Sequence, residues 1–150
     1  MSGLFGKTGS RAKKGMNFPY IIKKNLELNN RADHHEPVDV VADQVVNVSY
    51  TLDLAKVVVE MMKQESEEKY GLYHLVNKGD CTWYEVALQI AEILGYGKDK
   101  VRPIETEDFY TNLKRPQDTS LNVSKVEKEF GVEIPTWQNA LTRFFKNEVL

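Results

Sequence analysis

GDCTWYEVALQIAEILG, residues 79–95, contains both its own start and its own stop. Thr82 and Glu85 have the spacing of a capping box, in which the Thr hydroxyl accepts from the Glu85 amide and the Glu carboxylate accepts from the Thr82 amide. Cys81 and Val86 occupy the flanking positions of a hydrophobic staple. Trp83, Val86, Ala87, Ile90, Ala91 and Leu94 then recur at helical spacing, and Gly95 stands where a helix ends. The pattern predicts an amphipathic helix that opens on two adjacent rings, Trp83 and Tyr84. The identity of their packing partner governs how the rest of the chain is read.

Working outward, Gly71–Asn77 (GLYHLVN) alternates as a strand would, with His74 turned toward a core or a neighbouring domain. Val101–Ile104 is a second strand candidate, followed by the irregular acidic and aromatic stretch Glu105–Tyr110 and by KRP at Lys114–Pro116. Ser124 and Glu127 form a second capping-box pattern for a short helix stopped by Gly131. Thr136 caps a last helix with Trp137, Ala140, Leu141, Phe144 and Phe145 on one side. Toward the amino end, Asn17 caps a helix that has Pro19 in its first turn and Phe18, Ile21, Ile22 and Leu26 at helical spacing, ending near Asn29 and Asn30. Val38, Val40 and Val41 suggest a short strand.

Thr51 caps the next helix, from Leu52 to about Gln64. Its polar positions, Asp53, Lys56, Glu60 and Lys63, form one narrow stripe, and nearly everything else is apolar. Such a helix should be buried on more than one side. Either it is central to this chain's own core, or it packs against a domain outside the chain. The alternation of helices with short strands predicts an α/β fold, read as one domain over residues 1–150 in which residues 1–15 are the end of a strand and a glycine-rich basic loop.

At 150 residues a single core is feasible, burying roughly 70% of the unfolded chain's surface. No apolar run approaches the ~20 residues of a membrane span, which argues against a membrane partner. The formal charge of −2 gives no general attraction to phosphate backbones, and the one basic cluster, Lys7, Arg11, Lys13 and Lys14, lies in a loop, so no nucleic-acid partner is expected. A lone cysteine, Cys81, and the lack of a signal-peptide pattern point to the cytoplasm.

Chemical motifs are sparse. Gly3, Gly6 and Gly9 fit G-x-x-G-x-x-G, but a dinucleotide cradle needs a strand before it and a helix amino end after it, and only Met1 and Ser2 precede Gly3. Tyr-x-x-x-Lys, which sets a phenol and an ammonium one helical turn apart, occurs at Tyr20/Lys24, Tyr96/Lys100 and Tyr110/Lys114 without a cofactor loop before any of them. Asp33, His34, His35 and Glu36 are metal-ligand types in a run, but adjacent side chains point apart, and a solvated turn is the expectation. No catalytic residue, no cofactor-binding residue and no metal site is expected.

VADQVVNVSYTLDLA (Val41–Ala55), GLYHLVNKGDCTWYEVALQIAEILG (Gly71–Gly95) and RPIETEDFYTNLKRPQDTSLNVSKVEKEFGVEIPTWQNAL (Arg102–Leu141) together resemble the carboxyl-terminal half of the dTDP-4-dehydrorhamnose reductase family. The order DQ, DLA, YHL, WYE, KRP, SK and W carries the likeness across nearly the whole chain. Leu4–Gly6 (LFG) is similar to the segment ending the sixth strand of that family's nucleotide-binding sheet.

The resemblance implies an extended short-chain dehydrogenase/reductase, a Rossmann-like NAD(P)-binding fold. In it NADPH reduces the C4 keto group of dTDP-6-deoxy-L-lyxo-4-hexulose to give dTDP-L-rhamnose. The family's cofactor loop and catalytic Thr, Tyr and Lys precede the segment represented here. This chain is then the substrate-binding lobe plus elements that return to the cofactor domain, Leu52–Gln64 and Gly71–Asn77, with the amino-terminal cofactor half absent and no turnover expected from the chain alone.

By the same resemblance, Trp83 and Tyr84 help to build the lobe's core, and Phe5, Gln44 and Arg115 face the substrate, with Arg115 able to pair with diphosphate oxygens. The alternative for these three is structural: Phe5 packs and Arg115 braces a loop. Two departures stand out. Gly3 replaces a substrate-contacting Trp, and Val48-Ser49-Tyr50 replaces Ser-Pro-Thr.

The partners implied are a dTDP-deoxysugar and a missing or separate Rossmann domain. The apolar faces left bare imply a homo-oligomer as well. The competing reading is a non-catalytic regulatory module similar to the regulatory subunit of methionine adenosyltransferase.

Overall fold

The computed structural model describes residues 3–8, 16–31, 36–109 and 115–149. Six short strands are distributed over three two-stranded sheets. β1 (Leu4–Phe5) pairs in parallel with β4 (Ser49–Tyr50), β2 (Val38–Val41) in parallel with β6 (Val101–Ile104), and β3 (Val45–Val46) antiparallel with β5 (Cys81–Thr82). The helices are α1 (Phe18–Arg31), α2 (Thr51–Lys63), α3 (Trp83–Ile93), α4 (Ser124–Phe130) and α5 (Trp137–Phe144), the last continued by a π-helical turn, Phe145–Val149. None among the described residues is long and apolar enough to cross a membrane.

Several elements form where local chemistry places them. Asn17 Oδ1 accepts from the Tyr20 amide at 3.3 Å and starts α1. Thr82 and Glu85 make the full capping box of α3, with the Glu85 amide donating to Thr82 Oγ1 at 3.1 Å and the Thr82 amide to Glu85 Oε2 at 2.7 Å. Thr136 caps α5, and Gly131 ends α4 in the left-handed region at φ 62°. α5 buries Trp137, Ala140, Leu141 and Phe144, and Phe145 beyond it is buried too.

The apolar interior has two parts. The larger brings β1, α1, β2, α3 and α5 together through residues such as Phe5, Leu26, Val40, Ile90 and Phe144. The smaller joins α2, the segment before Lys78 and α4 through Leu54, Val57, Val76, Val126 and Ile134.

Four expectations need correction. Thr51 is the first residue of α2 and not its cap; Tyr50 is the cap residue, with no side-chain hydrogen bond to the helix. The Ser124–Glu127 box does not form, since Val123 is the cap residue of α4, and Glu127 instead accepts from the Ile134 amide at 2.9 Å and pairs with Lys78 at 3.2 Å. Gly71–Asn77 makes no ladder among the described residues. Leu75, Val76 and Asn77 are buried and His74 is exposed, because an extended segment becomes a strand only where a second backbone takes up its amides and carbonyls.

The fourth concerns α2, whose buried residues are Asp53, Leu54 and Val57 on a single side. Leu52, Val58, Val59 and Met62 are exposed, Met62 to 71%. The helix is enclosed on one face only. Asp53, assigned by its spacing to the solvated stripe, is inside.

Candidate functional site

Two capped helices start at the same place in space. Phe18 is the first residue of α1, after Asn17, and Trp83 is the first of α3, after Thr82. Their ring centroids lie 4.6 Å apart, tilted by 51°. This is where the rings opening α3 go: Trp83 meets the start of α1, and both Trp83 and Tyr84 pack, partly buried, against the main core. The Asn17 side chain also donates to the Gly6 carbonyl at 2.7 Å, which ties the start of α1 to the end of β1.

β1 forms the next wall. Phe5 is 2% exposed, stacked on Tyr50 at 5.5 Å and edge-on to Phe144 at 5.2 Å. Gly3 has φ +52°, and a Cβ there would come within 2.7 Å of the Asn47 carbonyl oxygen, so neither the backbone nor the space admits a side chain. Between β1 and the starts of α1 and α3 lies a cavity of about 250 Å³. Gly3, Phe5, Phe18, Trp83 and Arg115 contribute to its wall, and exposed Arg115 is the one charged side chain among the lining residues.

Phe5 and Arg115, both expected from the sequence, are thus brought to one cavity. Gln44 is not among its lining residues. It is buried, and its Nε2 donates to Thr106 Oγ1 at 2.9 Å. Thr106 in turn donates from its hydroxyl to Asp43 at 2.6 Å and from its amide at 3.1 Å. Those hydrogen bonds hold the Asp43 carboxyl below its ordinary value of 3.8. This cluster fastens the ends of β2 and β6.

Sequence reasoning assigned Trp83 to the core and gave Phe18 no role in the site. The signal that would have found them is their shared position, one residue past a cap, but nothing local says that two helix starts will meet.

The remaining motifs have plain structural explanations where they are described. A Cβ on Gly6 would come within 2.2 Å of Thr51 Oγ1, so Gly6, like Gly3, is small because its own chain lies against it. α1 begins only at Phe18, and no helix amino end follows these glycines directly. The pair therefore does not fit a dinucleotide cradle. Tyr20 packs edge-on to Phe144 at 5.4 Å, and burial, then the Glu148 charge, raise its phenol above 10.0, the wrong direction for proton transfer with Lys24 near neutral pH. Among the described residues no cluster of three or more His, Cys, Asp or Glu could hold a metal ion. Gly9, Arg11, Lys13, Lys14, Asp33, His34, His35 and the Tyr110/Lys114 pair lie outside the described residues.

Comparison with known proteins gives a consistent picture. The family described as "RmlD substrate binding domain" matches residues 4–149. A dTDP-4-dehydrorhamnose reductase of Aggregatibacter actinomycetemcomitans is 31% identical over 135 residues, covering 85% of this chain and 44% of that protein. The crystal structure of a dTDP-4-dehydrorhamnose reductase from Clostridium acetobutylicum superposes with a TM-score of 0.74 at 31% identity, over 95% of this chain and 45% of the other. One from Bacillus anthracis, in complex with NADP, gives 0.71 at 29% identity, over 95% and 45%. The chain spans less than half the length of these relatives. By the extent of the family match, it belongs to the RmlD substrate-binding domain family.

Proposed function

We propose that this chain is the substrate-binding lobe of a dTDP-4-dehydrorhamnose reductase and holds the nucleotide sugar dTDP-6-deoxy-L-lyxo-4-hexulose at the cavity between β1, α1 and α3. The observation that carries the reading is the placement of Arg115, the cavity's one charged lining side chain, across from an aromatic wall. A guanidinium donates in a fork that suits phosphate oxygens, while the apolar wall accepts a ring.

In this reading NADPH is bound by a nucleotide-binding half that lies outside these residues, since Gly3 and Gly6 do not fit a dinucleotide cradle. The exposed side of α2, with Leu52, Val59 and Met62, is the seat of that half. Support comes from the relatives, each more than twice as long as their matched portion. Without that half, the same apolar face drives self-association.

The test is an NADPH-oxidation assay with the 4-keto sugar nucleotide, together with calorimetry using thymidine diphosphate. The chain alone is expected to bind thymidine diphosphate and to oxidise no NADPH, and to support turnover once a separately produced nucleotide-binding half is added. Arg115→Ala should weaken thymidine diphosphate binding roughly ten-fold, in line with a charge-assisted contact. Turnover by the chain alone, or no binding of thymidine diphosphate, sinks the proposal.

A further inference from the structure

We infer that the Phe18–Trp83 pair is the platform on which the base of a nucleoside diphosphate stacks, with Arg115 holding the phosphates at the rim. The inference rests on the substrate-lobe reading above and assigns the two ends of the ligand within the cavity.

Burial separates these two rings from the others nearby. Phe5, Tyr50 and Phe144 are shut into the core, at 2%, 0% and 0% exposure. Phe18 and Trp83 are only partly buried, and both line the cavity. Rings that serve packing alone could be covered as completely as the first three. Their position is also rigid, because each is the first residue of a helix whose cap is satisfied by hydrogen bonds.

Size and polarity choose the part of the ligand. Sites that swallow a whole drug-sized molecule hold roughly 300–1,000 Å³. At about 250 Å³ this cavity takes one ring-sized portion and leaves the rest at its mouth. A hexose carries hydroxyls around its ring, each needing a partner when buried, and apart from Arg115 the lining side chains are apolar. A nucleobase instead presents a π face that stacks on an aromatic side chain whatever its edge pattern.

Gly3 narrows the assignment further. With no room for a Cβ, position 3 can add no ring of its own, so the aromatic surface on this side of the cavity comes from Phe18 and Trp83. Arg115, exposed at the rim, is then placed for phosphates that remain near water. The amino end of α3 is already taken by the Glu85 carboxylate, which leaves the phosphates to the guanidinium.

The experiment uses the full chain and thymidine 5′-diphosphate. In saturation-transfer NMR on the unaltered protein, the thymine methyl and H6 protons should receive more saturation than the ribose protons. In a Trp137→Phe background, where Trp83 is the remaining tryptophan, the ligand should quench emission, and a hexose 1-phosphate should not. Trp83→Leu should weaken calorimetric binding roughly ten-fold or more, with Trp83→Phe retaining most of it. Binding of undiminished strength by a folded Trp83→Leu variant, or saturation centred on the ribose, overturns the inference and leaves the substrate-lobe reading intact. If Trp83→Leu does not fold, the saturation pattern on the unaltered chain decides. No binding by the unaltered chain overturns both.

Discussion

Asp53 and Arg143 face each other in a two-pronged ion pair, with Nη1 to Oδ1 at 2.8 Å and Nη2 to Oδ2 at 2.6 Å. Asp53, on α2, is 4% exposed, and Arg143, on α5, lies over the Tyr50 ring. Asn77 Nδ2 adds a third hydrogen bond to Asp53 at 2.9 Å, and Asn77 Oδ1 accepts from the Tyr50 amide at 2.8 Å. Asp53 also keeps the Arg143 guanidinium more firmly protonated than usual. This polar seam joins the two halves of the apolar interior.

Removing one partner of a well-buried pair strands the other. Asp53→Ala is therefore expected to lower stability by roughly 2–4 kcal/mol, the lower part of that range reflecting Arg143's partial access to water. Replacing both, as Asp53→Leu with Arg143→Met, should cost clearly less than the sum of the two single changes. Urea unfolding of the four proteins checks this, and additive losses would contradict it.

The second prediction concerns alkaline pH. Burial, and then the Glu85 charge, push the Cys81 thiol up from 9.0 to about 12. Burial, and then its hydrogen bond to Glu148, push the Tyr50 phenol from 10.0 to about 12. Both groups hold their protons longer in the folded state, so the unfolded chain loses protons first as pH rises. Stability is intact below pH 9 and falls between pH 9 and 12, with a slope of up to about 1.4 kcal/mol per pH unit for each group. Cys81→Ala should flatten the fall between pH 9 and 10, and Tyr50→Phe the fall above pH 10. Chemical unfolding at a series of pH values reads both slopes, and an unchanged profile in either variant would count against its assignment.

Gly3 supplies a third. Gly3→Ala forces a Cβ to within 2.7 Å of the Asn47 carbonyl oxygen at a φ of +52°. The expected loss is about 1–3 kcal/mol, with local displacement of β1 from β4. Thermal melts should show it, and Gly3→Trp should destabilise at least as much without strengthening ligand binding. A stable Gly3→Trp protein with improved affinity would refute the argument from space.

The fourth tests α2. Val59 and Met62 are 48% and 71% exposed, so Val59→Asn and Met62→Gln should change the chain's own stability by no more than about 0.5 kcal/mol. The same changes should reduce self-association in sedimentation and weaken pairing with an added nucleotide-binding half. Unaltered association in both assays would show that this face seats nothing.

Local physical chemistry was legible in the amino-acid order. The caps at Asn17, Thr82 and Thr136, the stop at Gly131, the strands Val38–Val41 and Val101–Ile104 and the apolar side of α5 all depend on residues within a turn or two of one another. Helix α2 was legible as too apolar for a single buried stripe, though not which residues would be covered.

Only the tertiary structure decided what depends on distant neighbours. Asp53 has the spacing of a solvated residue, yet its partner Arg143 lies 90 positions away and draws it inside. Glu127 has the spacing of a cap, but Lys78 and the Ile134 amide compete for its carboxylate and win. Phe18, Trp83 and Arg115 share a cavity because two helix starts and a loop converge, a geometry that no local pattern encodes. Caps and turns are satisfied by atoms the chain cannot move apart, whereas ion pairs, cavities and sheet partners exist only once separate segments have been packed into place.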